Sequence, residues 1–525
     1  MDSETVYRRR WAILAIMSLS LVITLLNNVT VNVALPELSK DLDADNTELQ
    51  WIMDAYVVVF GGMLLVMGAI GDRFGRKPAL MGGLAIVGLV SAITAQYATT
   101  SEHVIGARAM MGLGAALVMP ATLSVIVVVF PPEERGKAVG VWVGMAGIGA
   151  PLGLLVGGWA VDNYDWRAVF WINPPIIALA MALGMVIVPN SKDERESPMD
   201  PVGAALSVGA LASILYAIIE GPSVGWLSGE VVGPGCLGLL LTILFVKWER
   251  SVEYPMLPIE FFENRGFTLG LVAISLAFFV MFSFMFTQML HFQLVRGRTP
   301  LEAAVRFLPL PLGLMPMAAN SDRFCARFGS NNVVAAGLIL IATAMLIFTT
   351  IETTTEYTTL ALIFLLIGMG MGLTMAPSTN MVMDSIPHDK AGVGSATNDA
   401  SREVGGAFGI AIVGSALNEI YQREMVVPEG LEDVEWLPAD YSAIVSESFP
   451  AAMRIGQELL TSGSSEAEWA AHALLGQELI ENSRFAFMEG MTGAAIAAAM
   501  VALLSAIVVK LYMPPSTGGT GKLGS

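Results

Sequence analysis

Long apolar stretches separated by short polar breaks run the length of the chain. They fall at about 11–33, 49–70, 78–98, 103–126, 139–161, 168–188, 201–220, 230–247, 266–291, 301–319, 332–351, 358–380, 393–417 and 485–512. A helix needs about 20 apolar residues to cross a hydrocarbon core of roughly 30 Å, so the pattern predicts fourteen membrane-spanning helices. Lys and Arg set the orientation. With the N-terminus inside, 18 of the 28 basic residues lie on that side, among them Arg8, Arg9, Arg10, Arg73, Arg76, Lys77, Arg135 and Lys137. Arg108 and Arg402 lie within spans. Both termini are predicted to be cytoplasmic, in a multi-pass protein of the cell membrane.

Composition agrees with this reading. Of 525 residues, 54% are hydrophobic before the 53 Gly are counted, and only 14% are charged, where soluble proteins carry about 25%. The fold class is an all-α polytopic membrane protein. Its net charge of −18 argues against a nucleic-acid partner, because phosphate binding needs a basic face. Arg8–Arg10 lead straight into a run too long for a cleavable signal. Cys236 lies in an apolar run and Cys325 in a polar turn, without the spacing of a disulfide framework or a zinc site. The end, 513–525, reads as a flexible tail; it is no Walker motif, because Leu523 stands where Ser or Thr must bind magnesium.

One segment breaks the rhythm of short loops. Residues 419–483 carry 13 Asp or Glu against only Arg423 and Arg454, a net of −11. Pro428, Pro438 and Pro450 are followed by helical apolar spacing from Ile455 to Leu479. The expectation is an extracellular hairpin of amphipathic helices, acting as a solvated cap, a gate or a cation-attracting vestibule.

The chain also repeats itself. D-R-F-G-R-K-P-A-L-M-G-G-L at 72–84 answers A-R-F-G-S-N-N-V-V-A-A-G-L at 326–338, an offset of 254, and Gly112 and Gly114 answer Gly370 and Gly372 at an offset of 258. The predicted organisation is a six-helix half over 1–190, two inserted helices and a linker over 191–263, and a second six-helix half over 264–512. Repeated halves of this kind place a substrate cavity between them near the midplane, opened alternately to each side.

The most specific stretch is the loop G-A-I-G-D-R-F-G-R-K at 68–77. It resembles the signature of the major facilitator superfamily between spans two and three. In this resemblance Gly68 and Gly75 permit close approach and tight turning, Asp72 accepts from helix N-termini or pairs across the cytoplasmic face, and Arg73, Arg76 and Lys77 also meet membrane lipids. T-V-N-V-A-L-P at 30–36, W-I-M-D-A-Y at 51–56, A-R-A-M-M-G-L-G-A-A-L-V-M-P at 107–120 and I-E-G-P at 219–222 resemble the fourteen-span drug–proton antiporter branch, the QacA-like multidrug exporters. G-A-P-L-G-L-L-V-G-G at 149–158 is similar to the antiporter motif of span five, followed by Trp166, Arg167, Phe170 and Asn173.

Two positions depart from that pattern. Asn27 stands where the family has an Asp, which implies either one proton carrier fewer or a differently tuned coupling. In span five the proline is displaced to Pro151, moving the expected bend about one turn earlier, while Gly149, Gly153, Gly157 and Gly158 keep the close packing.

Ionisable groups inside spans cost about 2.5–3.5 kcal/mol each on insertion scales, so each needs a reason. Asp54 and Arg108 lie at similar depth below the outer face and form a candidate pair that protonation would release; otherwise both snorkel outward. Asp399 and Glu403 are one helical turn apart in span thirteen, with Arg402 between them. One carboxylate can be neutralised by Arg402, which leaves the other for a proton or a cationic substrate. Glu220 and Glu489 read as interfacial, and His103, His291, His388 and His472 as loop or span-end residues. Phe279, Met281, Phe282, Met285 and Phe286 could line an adaptable apolar wall.

The expected function is proton-coupled efflux of amphipathic, cationic drugs or antiseptics by a monomeric unit using no cofactor beyond the proton gradient. A narrow-specificity exporter of an antibiotic, lipid or metabolite is the alternative. An ATP-driven pump or enzyme finds no Walker motif, metal-ligand spacing or nucleophile–base constellation in the sequence.

Overall fold

The computed structural model describes residues 3–42, 44, 46–191, 200–434, 436–438, 440–462 and 466–515. Fourteen of its helices are long and apolar enough to cross a membrane, and no strand occurs among the described residues. They are α1 (Ser3–Asp41), α2 (Asn46–Phe74), α3 (Arg76–Tyr97), α4 (Ser101–Val129), α5 (Pro132–Asn163), α6 (Ala168–Ile187), α7 (Pro201–Val224) and α8 (Gly229–Glu249). Then come α9 (Arg265–Leu290), α10 (Pro309–Phe328), α11 (Ser330–Phe348), α12 (Tyr357–Asp384), α13 (Ala391–Glu424) and α14 (Glu466–Tyr512). Because the number of spans is even, the start of α1 and the end of α14 lie at one end of the bundle, called here the terminal face; the opposite end is the far face.

Polar residues stop and start these helices. Thr100 caps α4 by accepting from the His103 N–H (3.4 Å), Asp200 caps α7 through Gly203 (2.8 Å), and Asn264 caps α9 through Gly266 (2.8 Å). Glycine alone joins two helix pairs. Gly75 (φ 112°) is the single residue between α2 and α3, and Gly329 (φ 83°) the single residue between α10 and α11. Side chains with a Cβ pay for such backbone angles, glycine does not. Residues 68–77 are therefore helical on both sides of Gly75, and the connection read as a ten-residue loop is one residue long.

The halves repeat in packing. In the first, α1 meets α5, α2 meets α4, and α3 meets α4 and α6; in the second, α9 meets α13, α10 meets α12, and α11 meets α12 and α14. A Cβ on Gly83 would sit 2.5 Å from the Gly114 carbonyl oxygen, and one on Gly337 2.6 Å from that of Gly370. Gly112 closes in the same way on the Tyr56 carbonyl and Gly368 on that of Leu310. The structural offset in this helix is thus 256, and the 258 read from the letters is two residues too long. Glycines spaced by two match in either register, and only the backbone contacts tell the registers apart.

The inserted pair, α7 and α8, bridges the halves. Its α7 packs on α2, where a Cβ on Gly62 would lie 3.3 Å from the Ala212 methyl, and Trp51 stacks on Tyr216 at 5.9 Å. Trp226, in the turn after α7, donates to the Ser415 hydroxyl of α13 at 2.9 Å. Cys236 is exposed on α8, whereas Cys325 is buried inside α10. The polar turn expected around Cys325 is absent because α10 stays helical through Phe328, with only Arg323 and Arg327 of its polar side chains here exposed.

The described part of the acidic segment is folded. Tyr441–Glu447 and Phe449–Leu459 form short helices; the second packs on the projecting part of α14, and the first on the second and on α13. Phe449 stacks on Phe487 at 4.1 Å, Gly456 faces Gly476, and the Tyr421 hydroxyl donates to the Val445 carbonyl at 2.8 Å. With 47 residues, α14 is about 70 Å long at 1.5 Å per residue. That exceeds twice a ~30 Å hydrocarbon core, so its first turns stand clear of the far face.

Candidate functional site

At the terminal face, Asp72 on the last turn of α2 crosses to the other half. Its two oxygens accept from the backbone N–H groups of Gly392 (2.8 Å) and Val393 (3.0 Å), the first turn of α13. Arg76 pairs with the same carboxylate at 2.7 Å and reaches on to the His388 carbonyl at 2.8 Å. The carboxylate meets orphan donors and the positive end of a helix dipole together. The fit needs glycine, because a Cβ on Gly392 would sit 2.6 Å from the Asp72 carboxyl carbon, and one on Gly68 2.6 Å from the Gly392 carbonyl. Lys77 donates to the Met185 carbonyl of its own half (2.6 Å), and Arg73 lies over the Phe74 ring (5.5 Å). Beside this contact, Arg135 of α5 pairs with Asp384 of α12 at 2.9 Å.

The glycines of α5 serve a different contact. A Cβ on Gly149 would lie 2.7 Å from Leu25 Cβ, one on Gly153 3.0 Å from the Leu26 carbonyl and one on Gly157 3.1 Å from the Thr30 carbonyl, so this stretch holds α5 against α1. Gly158 is looser, with nothing nearer than 4.0 Å, and Pro151 sits inside the helix. At the far end Asp41 clasps the turn after α5, accepting from Trp166 Nε1 (2.9 Å) and Arg167 (3.3 Å). The Trp166 hydrogen bond, then that of Arg167, holds the Asp41 carboxyl below the usual carboxylate range.

Between these ends the structure rearranges the expected pairs. Arg108 is buried and donates to the carbonyls of Ile52 (3.0 Å), Asn27 (3.0 Å) and Asn28 (3.5 Å), with its guanidinium 4.4 Å from the Tyr56 ring centre. Asp54 is not among its partners. It is hydrogen-bonded by Gln50 and faces Glu220 of α7. Two residues along a helix are about 200° around its axis, so Asp54 points away from the face on which Ile52 and Tyr56 meet α4. Asn27 turns into its own half, where its Oδ1 accepts from Asn173 Nδ2 (3.2 Å), which also reaches Ser91 (3.2 Å).

The carboxylates of α13 do gather. Asp399 is fully buried, 3.4 Å from Arg402 Nη1, and takes a 3.4 Å bond from Asn398. Arg402 reaches the Thr379 hydroxyl at 3.5 Å and lies between two rings, 4.9 Å from Trp142 of α5 and 5.5 Å from Phe278 of α9. Glu403 interacts electrostatically with Asp399 and Arg402, and with Tyr56 in the other half. Two carboxylates therefore share one guanidinium. At 1.5 Å per residue they lie about 12 and 18 Å along α13 from Ala391, well within the core. Asp399 Oδ2, Arg402 Nε and the hydroxyls of Ser378 and Ser395 are buried without a protein partner, which equips the site to hold a proton or a polar ligand group.

Residue-by-residue reading missed the aromatic half of this site. Tyr56 stands in W-I-M-D-A-Y, where the charge of Asp54 drew attention away from it. Trp142 announced itself only as a large ring in a glycine-rich helix, and Phe278 is the neighbour of the named Phe279. Of the named wall, Phe282 abuts Gly406 of α13 and Phe286 is exposed.

Two pseudo-repeated six-helix halves, a carboxylate latch at one face and a buried ionic cluster at the seam define a membrane transporter of the two-half type. The Major Facilitator Superfamily model matches residues 17–410, and the chain belongs to that superfamily. It is 30% identical over 502 residues to the multidrug efflux pump LfrA of Mycolicibacterium smegmatis, covering 95% of this chain and 96% of that one. It is 30% identical to the methyl viologen resistance protein SmvA of Salmonella typhimurium (89% and 93% covered) and 32% identical to the puromycin resistance protein pur8 of Streptomyces alboniger (77% and 81%). The human organic anion transporter MFSD10 (TETRAN) superimposes with a TM-score of 0.60 over 95% of this chain and 99% of its own, at 13% identity. That likeness concerns the fold alone.

Proposed function

We propose that this protein exports amphipathic, cationic drugs across the cytoplasmic membrane in exchange for protons, with the terminal face in the cytoplasm. The observation that carries the reading is the surplus charge on α13: two carboxylates within the span, buried Asp399 and half-buried Glu403, with one guanidinium between them. A lone buried charge is costly, so the unmatched carboxylate binds a proton or is neutralised by a cation. The two ligands compete for one charge, which is the requirement for exchange. Trp142, Phe278 and Tyr56 supply ring faces to which an organic cation is attracted. In the state seen here Asp72 and Arg135 close the terminal face, so the exchange faces outward: a proton arrives, the drug leaves. Reversal of the closure then delivers the proton to the cytoplasm.

The relatives named for multidrug efflux, methyl viologen resistance and puromycin resistance support export, and two of them a broad or cationic substrate. The alternative, a narrow-specificity exporter, is favoured by Asn27, which leaves the interior of the first half without the family's carboxylate. The test is dye uptake into everted vesicles under an imposed pH gradient. Transport that continues at the same rate after the gradient is collapsed refutes proton coupling. Transport of one natural compound and of no cationic dye favours the alternative.

A further inference from the structure

The offset of 256 that relates the glycine contacts also carries Gly392 onto Gly136. Gly392 opens α13 and receives the Asp72 carboxylate from the other half. Gly136, in the second turn of α5, likewise has a carboxylate of the other half against its α-carbon, because a Cβ there would fall on the carboxylate of Asp322 from α10. In the repeat, α10 is the counterpart of α2 and α5 that of α13. The acid has moved one turn. Ala326 occupies the position of Asp72, and Asp322 that of Gly68.

The surroundings make this a fitted contact. Asn380 Nδ2 lies 3.4 Å from Asp322 Oδ1, and Arg135, next to Gly136, is held by Asp384 at 2.9 Å. One turn deeper, Gly140 closes on the Ala318 carbonyl, and a Cβ on Gly144 would lie 3.1 Å from Met315. The α5–α10 seam is thus a glycine ladder that lets two backbones approach, with Asp322 at its terminal-face end. There its charge faces the N-terminal part of α5, where the helix dipole favours an anion.

We propose that Asp322 is a second latch, a positioning residue that closes the α5–α10 seam as Asp72 closes the α2–α13 seam. Opening the terminal face requires both to let go. The proposal rests on the alternating-access part of the transport reading. Its test is a distance measurement on the full chain, with spin labels at Glu133→Cys and Phe328→Cys, both exposed, in a background of Cys236→Ser and Cys325→Ser. Asp322→Ala raises the ratio of open to closed distances about fivefold or more, the low end of what a single coupling contact delivers. Gly136→Ala, which pushes the carboxylate off its seat, shifts the ratio the same way in the parent and adds nothing in the Asp322→Ala background. The proposal is overturned if Asp322→Ala leaves the ratio within roughly twofold of the parent while Asp72→Asn moves it, or if Gly136→Ala acts equally in both backgrounds. The ratio is read without substrate or gradient. A protein that exports no drug therefore refutes the transport reading alone and still reports on the latch.

Discussion

Asp72→Asn removes one charge from the terminal face and preserves the side chain's shape. When the face opens, the ion pair with Arg76 survives because both residues belong to one half, so it drops out of the balance. What opening breaks at the Asp72 carboxylate are the bonds to the Gly392 and Val393 N–H groups, at 2.8 and 3.0 Å. Hydrogen bonds to a charged group contribute about 1.5–3 kcal/mol each, and a carboxylate at a helix N-terminus up to about 2 kcal/mol. Water recovers much of this in the open state. Asn keeps one acceptor and points an N–H at the other donor, so the net loss from the closed state is about 2 kcal/mol. At about 1.4 kcal/mol per tenfold, that moves the open-to-closed ratio roughly 30-fold toward open. The assay is the distance distribution between labels on α5 and α10. A ratio unchanged in Asp72→Asn, or displaced toward closed, refutes the latch argument.

Four further outcomes follow from the other contacts. Glu403→Gln removes the surplus charge while keeping the Asp399–Arg402 pair, so dye efflux loses its dependence on the pH gradient while the protein still folds. Asp399→Asn instead removes the 3.4 Å partner of Arg402 and leaves it only the Glu403 carboxylate, so the loss stays below the ~3–5 kcal/mol of a fully stranded buried charge and appears as a modest drop in melting temperature. Trp142→Phe keeps a ring beside Arg402 and loses only the bond to the Thr122 hydroxyl (3.2 Å); Trp142→Ala removes both, and binding of a cationic dye weakens by about 0.5–2 kcal/mol more than in the Phe variant. Because the folded-state pKa of Asp41 is depressed, its clasp is fully present above the ordinary carboxylate range and is lost as pH falls through the depressed value. Asp41→Asn therefore melts earlier than the parent at neutral pH, and the difference vanishes in acid. A difference that persists there contradicts the assignment.

Spans were legible because a hydrocarbon core imposes a length, and every apolar run of that length became a helix. The contact at Asp72 was legible through resemblance, since G-A-I-G-D-R-F-G-R-K matches the superfamily's signature and so already pointed to that acid pairing across the face. What could not be read were directions around a helix and partners across the seam. Asp54 and Arg108 matched in depth but not in azimuth. The two-residue slip in the second-half glycines had the same origin, as spacing in the letters does not say which backbone each glycine meets. The aromatic lining escaped because, in a chain this apolar, a functional ring looks like any other.

The single-glycine joints at Gly75 and Gly329 have a mechanical consequence. A loop of several residues absorbs the tilt of one helix before its neighbour responds, but a one-residue connector has no slack. Any rotation of α2 is passed at once to α3, and any rotation of α10 to α11, so each joined pair tilts as one lever. The carboxylates at the lever tips then act at the longest arm, where a small force holds the largest displacement.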